Sequence, residues 1–285
     1  MTGAQKRRLI QRFGYLGLTV LALATVAPIA GVVIYVAGRG APAISWDFLS
    51  AMPRDGMRAG GVLPAIVGTF WLTLGTGVVA VPLGVAAAVY LAEYAPDNRW
   101  TRAIRIAIIN LAGIPSVVYG LFGLGLFVIF LHFGTSILAG SLTLAIMTLP
   151  VIISTTEEAL RSVPHSFRVV SISLGGTQWQ TVRRIVLPQA VPGILTGVIL
   201  GLERAAGETA PILFTVAAFY LPRLPSSPFD ATMALPYHLF VISTQVPGMP
   251  VQIQYGTALV LMAFVLGMNL IATIIRSRAR ARRQW

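Results

Sequence analysis

Cysteine is absent, and lysine occurs once, at Lys6. Without a thiol there is no disulfide, no thiolate nucleophile, no thiolate zinc site and no iron–sulfur cluster, and sulfur chemistry says nothing about redox compartment. A phosphate-binding loop of the form G-x-x-x-x-G-K-[ST] needs a lysine directly after a glycine turn. The single lysine stands in the N-terminal basic segment, so this chain does not hydrolyse ATP by itself. The histidines, His132, His165 and His238, fall in a turn, a cytoplasmic loop and an external loop, with no H-E-x-x-H and no i, i+4 pair to hold a metal; they read as ordinary loop residues. Charge is also scarce. Only 11% of the 285 residues are Asp, Glu, Lys or Arg, where a soluble domain carries about 25%. With 56% hydrophobic residues and a mean hydropathy of +0.79, the composition is that of a polytopic membrane protein. A net charge of +12 on a soluble chain would point to nucleic acid; on a membrane chain its distribution matters more.

Crossing about 30 Å of hydrocarbon takes about 20 residues of helix. Uncharged stretches of that length or more run over 13–38, 59–92 and 106–156, the last long enough for two crossings separated by a polar turn at 132–136. A fifth span starts after Pro188 and Pro192 and runs to about Tyr220, interrupted by Glu203, Arg204 and Glu208, and a sixth covers 255–275. The expected fold is therefore all-α with six transmembrane helices. Short cytoplasmic loops collect Lys and Arg. With the N-terminus inside, the four cytoplasmic segments hold sixteen of these residues and the outside segments only Arg39, Arg54, Arg58 and Arg223, so both termini are expected in the cytoplasm. The apolar core of the first span is too long for a signal-peptide h-region and reads as an uncleaved helix. The basic run 276–283 reads as a stop-transfer anchor beside anionic lipid, not a nucleic-acid arm.

Between the fourth and fifth spans lies a cytoplasmic stretch of about 156–188, far longer than an ordinary helix–helix connection. Ser154 and Thr155 stand three residues before Glu157 and Glu158, a helix-start pattern. Pro164 breaks the chain before a segment at about 166–174, which Gly175 and Gly176 end. Thr177 and Gln180 form a further capping box. It opens a short amphipathic helix carrying Trp179, Val182 and Ile185 with Arg183 and Arg184, which Pro188 closes. Two short helices around a glycine turn make a knob that a soluble partner can grip. Gly175, nine residues, then Ile185-Val186-Leu187-Pro188 is similar to the cytoplasmic loop of ABC-importer permeases, whose pattern is E-A-A, three residues, Gly, nine residues, I-x-L-P. The E-A-A positions fall instead on Val169, Val170 and Ser171, with Arg168 just before them. The resemblance implies that this loop couples to a separate ATPase subunit.

The titratable residues of the fifth span carry the chemistry. An arginine or carboxylate at mid-membrane costs roughly 2.5–3.5 kcal/mol on insertion scales, so Glu203, Arg204 and Glu208 are expected to face protein or a watery path. Arg204 and Glu208 are i and i+4 on one face; Glu203 points about 100° away and needs its own partner. Arg204 offers planar multiple donors to an oxyanion, with Glu208 orienting it and preventing permanent capture. Glu203 and Glu208, five residues apart, lie about 140° from each other around a helix, poor geometry for an intramembrane acid–base pair. In the third span, 113–116 (GIPS) should kink the helix.

Residues 204–215, RAAGETAPILFT, resemble the R-x-x-G-E-T-A-P-L-L-F-T signature of the phosphate-specific ABC-importer permease family, A-type subunits. Further similar stretches are 60–69, 88–94, 113–123 and 234–236. That resemblance implies a permease of the bacterial inner membrane that forms half of a phosphate path. It implies a heterodimer with a C-type permease, a dimeric ATPase that binds ATP and Mg, and an extracytoplasmic phosphate-binding protein, with no cofactor on this chain. The division expected is a basic tail (1–12), a first helix with an external loop (13–61), a permease domain (62–275) and a basic tail (276–285). Another oxyanion, sulfate or molybdate, is the alternative cargo. The Pro-rich loop 221–228 with Asp230 is a candidate contact for the binding protein.

Overall fold

The computed structural model describes residues 3–281; Arg282 and Arg283 of the C-terminal basic run lie outside them. Helix α1 spans Gly3–Gly40. The N-terminal basic segment was expected as a separate tail, but residues 4–12 contain neither Pro nor Gly, and the helix runs through them into the first span. After α2 (Trp46–Ser50), capped by Ser45 Oγ accepting from Phe48 N, a small hairpin pairs β1 (Pro53–Arg54) with β2 (Ala59–Gly60). Helix α3 (Leu63–Val89) is extended by a wide π-turn over Tyr90–Tyr94.

Helix α4 (Arg99–Ala112) is capped by the Asn98 side chain, and α5 (Ser116–Gly123) continues as a π segment over Leu124–Phe130. These two are bent by 100° at the intervening break, as the Gly113–Pro115 sequence predicts. Helix α6 (Ile137–Arg161), α7 (His165–Ser173), α8 (Gln178–Thr181), α9 (Leu187–Gly207), α10 (Ala210–Thr215), α11 (Leu235–Thr244) and α12 (Val251–Ala281) complete the order. Among the described residues five helices are long and apolar enough to cross a membrane, and six spans result when the bent pair counts as one.

Helices α3, α6 and α9 form the centre, and α1 lies outside against α12. In hydrocarbon, helices associate through close packing of small residues. Gly197 of α9 is one such point: a Cβ there would run into Thr155 Oγ1 of α6. Hydroxyls in the centre bond within their own helix, Thr69 to Ala65 O, Thr73 to Thr69 O and Thr76 to Leu72 O, at 2.7–2.8 Å. The expected helix start at Ser154 and Thr155 does not occur. α6 passes through both, Thr155 donates back to Val151 O, and Glu157 pairs instead with Arg105 and Arg161.

At the end of the bundle away from α7 and α8, the chain satisfies the first turn of α6. Ser136 Oγ accepts from Ala139 N, while Ile137 N and Leu138 N donate to the carbonyls of Asp230 and Pro228. Asp230 is a loop-shaping residue. Its carboxylate accepts from Ser226 N, Ser226 Oγ and Ser227 N, and these bonds hold it below the usual carboxylate range.

His238 is not the loop residue expected from its position in the sequence. It lies in α11 between the last two spans, 2% exposed, with Nδ1 unpartnered among the described residues, and burial pushes its imidazole down to about 4. Since the folded value lies below the ordinary one near 6.5, the unfolded chain binds the proton first. Stability should hold above about pH 6.5 and fall by up to about 3 kcal/mol as pH drops toward 4. Thermal unfolding in detergent across that range should show the decline, and His238→Asn should flatten it.

Candidate functional site

The fifth span ends earlier than its apolar run predicts. α9 stops at Gly207, because Glu208 takes an extended backbone (φ −74°, ψ 138°) and Pro211 then enters the first turn of α10. Arg204 therefore sits in the last turn of α9, where the helix dipole favours a cation. Glu208 is not on the helix but folds back to it, accepting from Arg204 Nε at 3.4 Å. The pair survives across a helix end instead of along one face. The two side chains are 35% and 18% exposed, and among the described residues this long bond is the only one the Arg204 side chain makes. Its remaining N–H donors have no partner among the described residues. Glu203 does point elsewhere: its Oε1 is buried with no hydrogen-bond partner among the described residues. An unpaired buried oxygen of this kind costs on the order of 1–3 kcal/mol.

The 100° bend brings α5 to the same place. Its Gly120 lies so close to α10 that a Cβ would come within 2.8 Å of the Phe214 ring, 3.0 Å of Pro211 Cα and 3.1 Å of Ala210 O. The similar stretches 113–123 and 204–215, far apart in sequence, are thus packed on each other. Tyr119 completes this corner. It is 5% exposed, its hydroxyl donates across the bend to Leu111 O at 2.7 Å, and it lies within electrostatic range of Arg204. Its carbonyl partner, at the end of α4, also accepts from Ile114 N, so the hydroxyl uses the carbonyl's second lone pair. The sequence reading gave Tyr119 no role; the one signal was its place inside a stretch that resembles the family.

The loop has the expected two-helix form. α7 ends in a turn where Gly175 takes φ +83°, a conformation that suits glycine. The Thr177–Gln180 capping box is formed in both directions, and Ser171 and Thr181 share a hydroxyl hydrogen bond of 2.8 Å between α7 and α8. Pro188 does not close the second helix as expected. The chain passes from α8 through a π-turn over Val182–Val186 directly into α9, with Pro188 in its first turn, where no N–H is required.

Trp179, Arg183 and Arg184 are exposed, Gly176, Ile185 and Leu187 are half-buried, and Val182 and Val186 are buried. Trp179 stands outward with Leu174, which is 83% exposed, near an apolar groove of about 450 Å³ bordered by Phe167, Val170, Gln180 and Ile185. Arg168 is different. It turns inward, 17% exposed, onto Glu93.

A half-buried ion pair at a broken helix, a second span bent against it and a two-helix loop at the opposite end suit a transport permease. Residues 80–282 match the family model described as binding-protein-dependent transport system inner membrane component. The chain belongs to this family and is a multi-pass protein of the inner membrane.

It is 34% identical over 273 residues to the probable ABC transporter permease protein YqgI of Bacillus subtilis, with 91% of this chain and 92% of that protein covered. It is 39% identical to the phosphate transport system permease protein PstA 1 of Mycobacterium tuberculosis (79% and 73% covered) and 36% identical to PstA of Mycobacterium leprae (91% and 86%). Among solved structures, a bacterial ABC transporter involved in the import of alginate aligns with a TM-score of 0.66 at 15% identity, covering 96% of each chain. The MetNI methionine ABC transporter aligns at 0.61 and 17% identity, covering 76% of this chain and 96% of that one. The fold is that of an ABC-importer permease.

The α5–α10 contact is tight enough to test. Gly120→Val should cost roughly 1–3 kcal/mol by overpacking, read as a lowered unfolding temperature of the purified protein.

Proposed function

We propose that this chain is the A-type permease subunit of an ATP-driven phosphate importer and forms half of the path for inorganic phosphate. The observation that carries the reading is Arg204. It is a guanidinium at a helix break with most of its donors free, held by one long bond to Glu208. A planar cation of this kind pairs well with a tetrahedral oxyanion. Glu208 competes for the same donors, so the anion is held briefly and released. Several relatives at 33–39% identity are phosphate transport system permeases, which favours phosphate over sulfate or molybdate.

The remaining parts follow from this reading. A C-type permease pairs with this chain, and a donor on that subunit or on the cargo serves the orphaned Glu203 oxygen. A dimeric ATPase, holding ATP and Mg, docks on the loop through exposed Trp179 and Leu174 with Arg183 and Arg184, and the turn at Gly175 and Gly176 shapes the knob. Ile185, Leu187 and Pro188 then root the loop in α9. With sixteen of the 21 Lys and Arg on the loop side, both termini face the cytoplasm, and an extracytoplasmic phosphate-binding protein delivers cargo to the opposite end.

Uptake of labelled phosphate, with sulfate as competitor, by vesicles containing the full complex tests both the cargo and the site. Native complex should carry phosphate without competition from sulfate. Arg204→Ala should assemble yet transport at least tenfold more slowly, the loss expected for a charged hydrogen-bond partner worth about 1.5–3 kcal/mol. Normal transport by the variant would reduce Arg204 to an ion-pair member, and competition by sulfate would overturn the cargo. On the loop, Trp179→Ala should weaken ATPase copurification severalfold while leaving the permease folded, because the ring is 57% exposed.

A further inference from the structure

Arg168 stands just before Val169, Val170 and Ser171, the positions that match the E-A-A of the permease loop pattern, yet it does not face outward. Its guanidinium makes four hydrogen bonds inside the chain. Nη2 and Nε donate to the two carboxylate oxygens of Glu93 at 2.6 and 3.0 Å, Nη1 donates to Val163 O at 2.8 Å, and Nη2 also reaches Leu160 O at 2.9 Å. Glu93 is 7% exposed and lies in the π-turn that ends α3. From the other arm of the loop, Gln178 Nε2 donates to the Glu93 backbone carbonyl at 2.6 Å. Both loop helices are thus fastened to one residue at the end of α3, and Arg168 adds the end of α6. Two-pronged charged bonds of this type are strong and directional.

The other link lies along α3 itself. Gly77 is sixteen residues before Glu93, about 24 Å along the helix, and a Cβ there would come within 3.3 Å of Leu202 in α9. Leu202 is two residues before Arg204. Helix α3 therefore runs continuously, through Pro82, from the base of the loop to the wall behind the arginine.

Resting on the function proposed above, we propose that Glu93 and Arg168 are positioning residues for transport. Their ion pair ties the loop to α3, so that displacement of the loop by the docked ATPase moves the helix lying against the Arg204 segment. An ATPase surface that meets Trp179, Leu174, Arg183 and Arg184 on the exterior of the loop moves the path through this internal clamp. Loss of the clamp leaves ATP hydrolysis running while transport falls behind.

The measurement is phosphate taken up per ATP hydrolysed, by the reconstituted full complex with its binding protein. The complexes compared are native, Glu93→Gln, Glu93→Asp and Arg168→Lys. Glu93→Gln keeps shape but removes the charge; it should assemble, hydrolyse ATP and carry at least fivefold less phosphate per ATP. Glu93→Asp and Arg168→Lys keep the charges and should recover part of that ratio. An unchanged ratio in assembled Glu93→Gln complex overturns the proposal.

If that variant does not assemble, the decision passes to a Glu93→Cys, Arg168→Cys double variant bridged by a short bismaleimide, clean in a chain without other cysteine. Recovery of the ratio on bridging supports the tie, and failure to recover it overturns it. Failure of the native complex to carry phosphate would sink the underlying function instead, and is a separate result.

Discussion

In hydrocarbon a polar group that finds no partner within protein stays unpaired, at a cost of several kcal/mol for a backbone amide or carbonyl and more for a charge. The breaks in this chain are organised around that constraint. Where α4 stops, the Tyr119 hydroxyl reaches back to Leu111 O. Where α6 begins, Ser136 and the carbonyls of residues 228 and 230 receive its first N–H groups. Where α9 ends, Glu208 folds back onto Arg204. Each irregular segment is tolerated because something local answers it, and the irregular segments are where the site lies.

The same constraint explains why the two similar stretches meet. A helix bent by 100° has a fresh face to bury, and an interrupted fifth span leaves a short helix, α10, with nothing to pack on. Gly120 removes the side chain that would keep them apart. The contact places Tyr119 and Arg204 in one corner, with the arginine only half satisfied. At the opposite end the reverse holds: Arg168 uses four of its five N–H donors inside the chain, and the outward surface of the loop carries Leu174 and Trp179 beside Arg183 and Arg184. A guanidinium with most donors open suits a passing anion, and one with four donors engaged suits a joint.

Much of this was legible in the residues. Six spans, the kink at Gly113–Pro115, the Thr177–Gln180 cap, the glycine turn and the Arg204–Glu208 pairing all follow from local rules, because hydropathy, proline geometry and capping act over a few residues. The misreadings share one cause. Ser154 and Thr155 looked like a helix start, Pro188 like a stop, and residues 207–209 like continuous span, since each signal is locally ambiguous and neighbouring helices decide it. His238 looked exposed because nothing in α11 announces that α3 and α12 cover it.

By itself, then, the sequence determined that the chain is a helical membrane protein without a lysine-bearing phosphate-loop motif, where its spans and loop lie, and which arginine within a span needs an explanation. These are properties of composition and short-range spacing. Only the tertiary structure decided that Glu208 answers Arg204 from beyond the helix end, that Tyr119 joins them, that Glu203 keeps an orphaned oxygen, and that Arg168 grips Glu93 instead of facing out. Those outcomes depend on residues up to 85 positions apart being packed together, and no local pattern encodes a distance that only the fold creates.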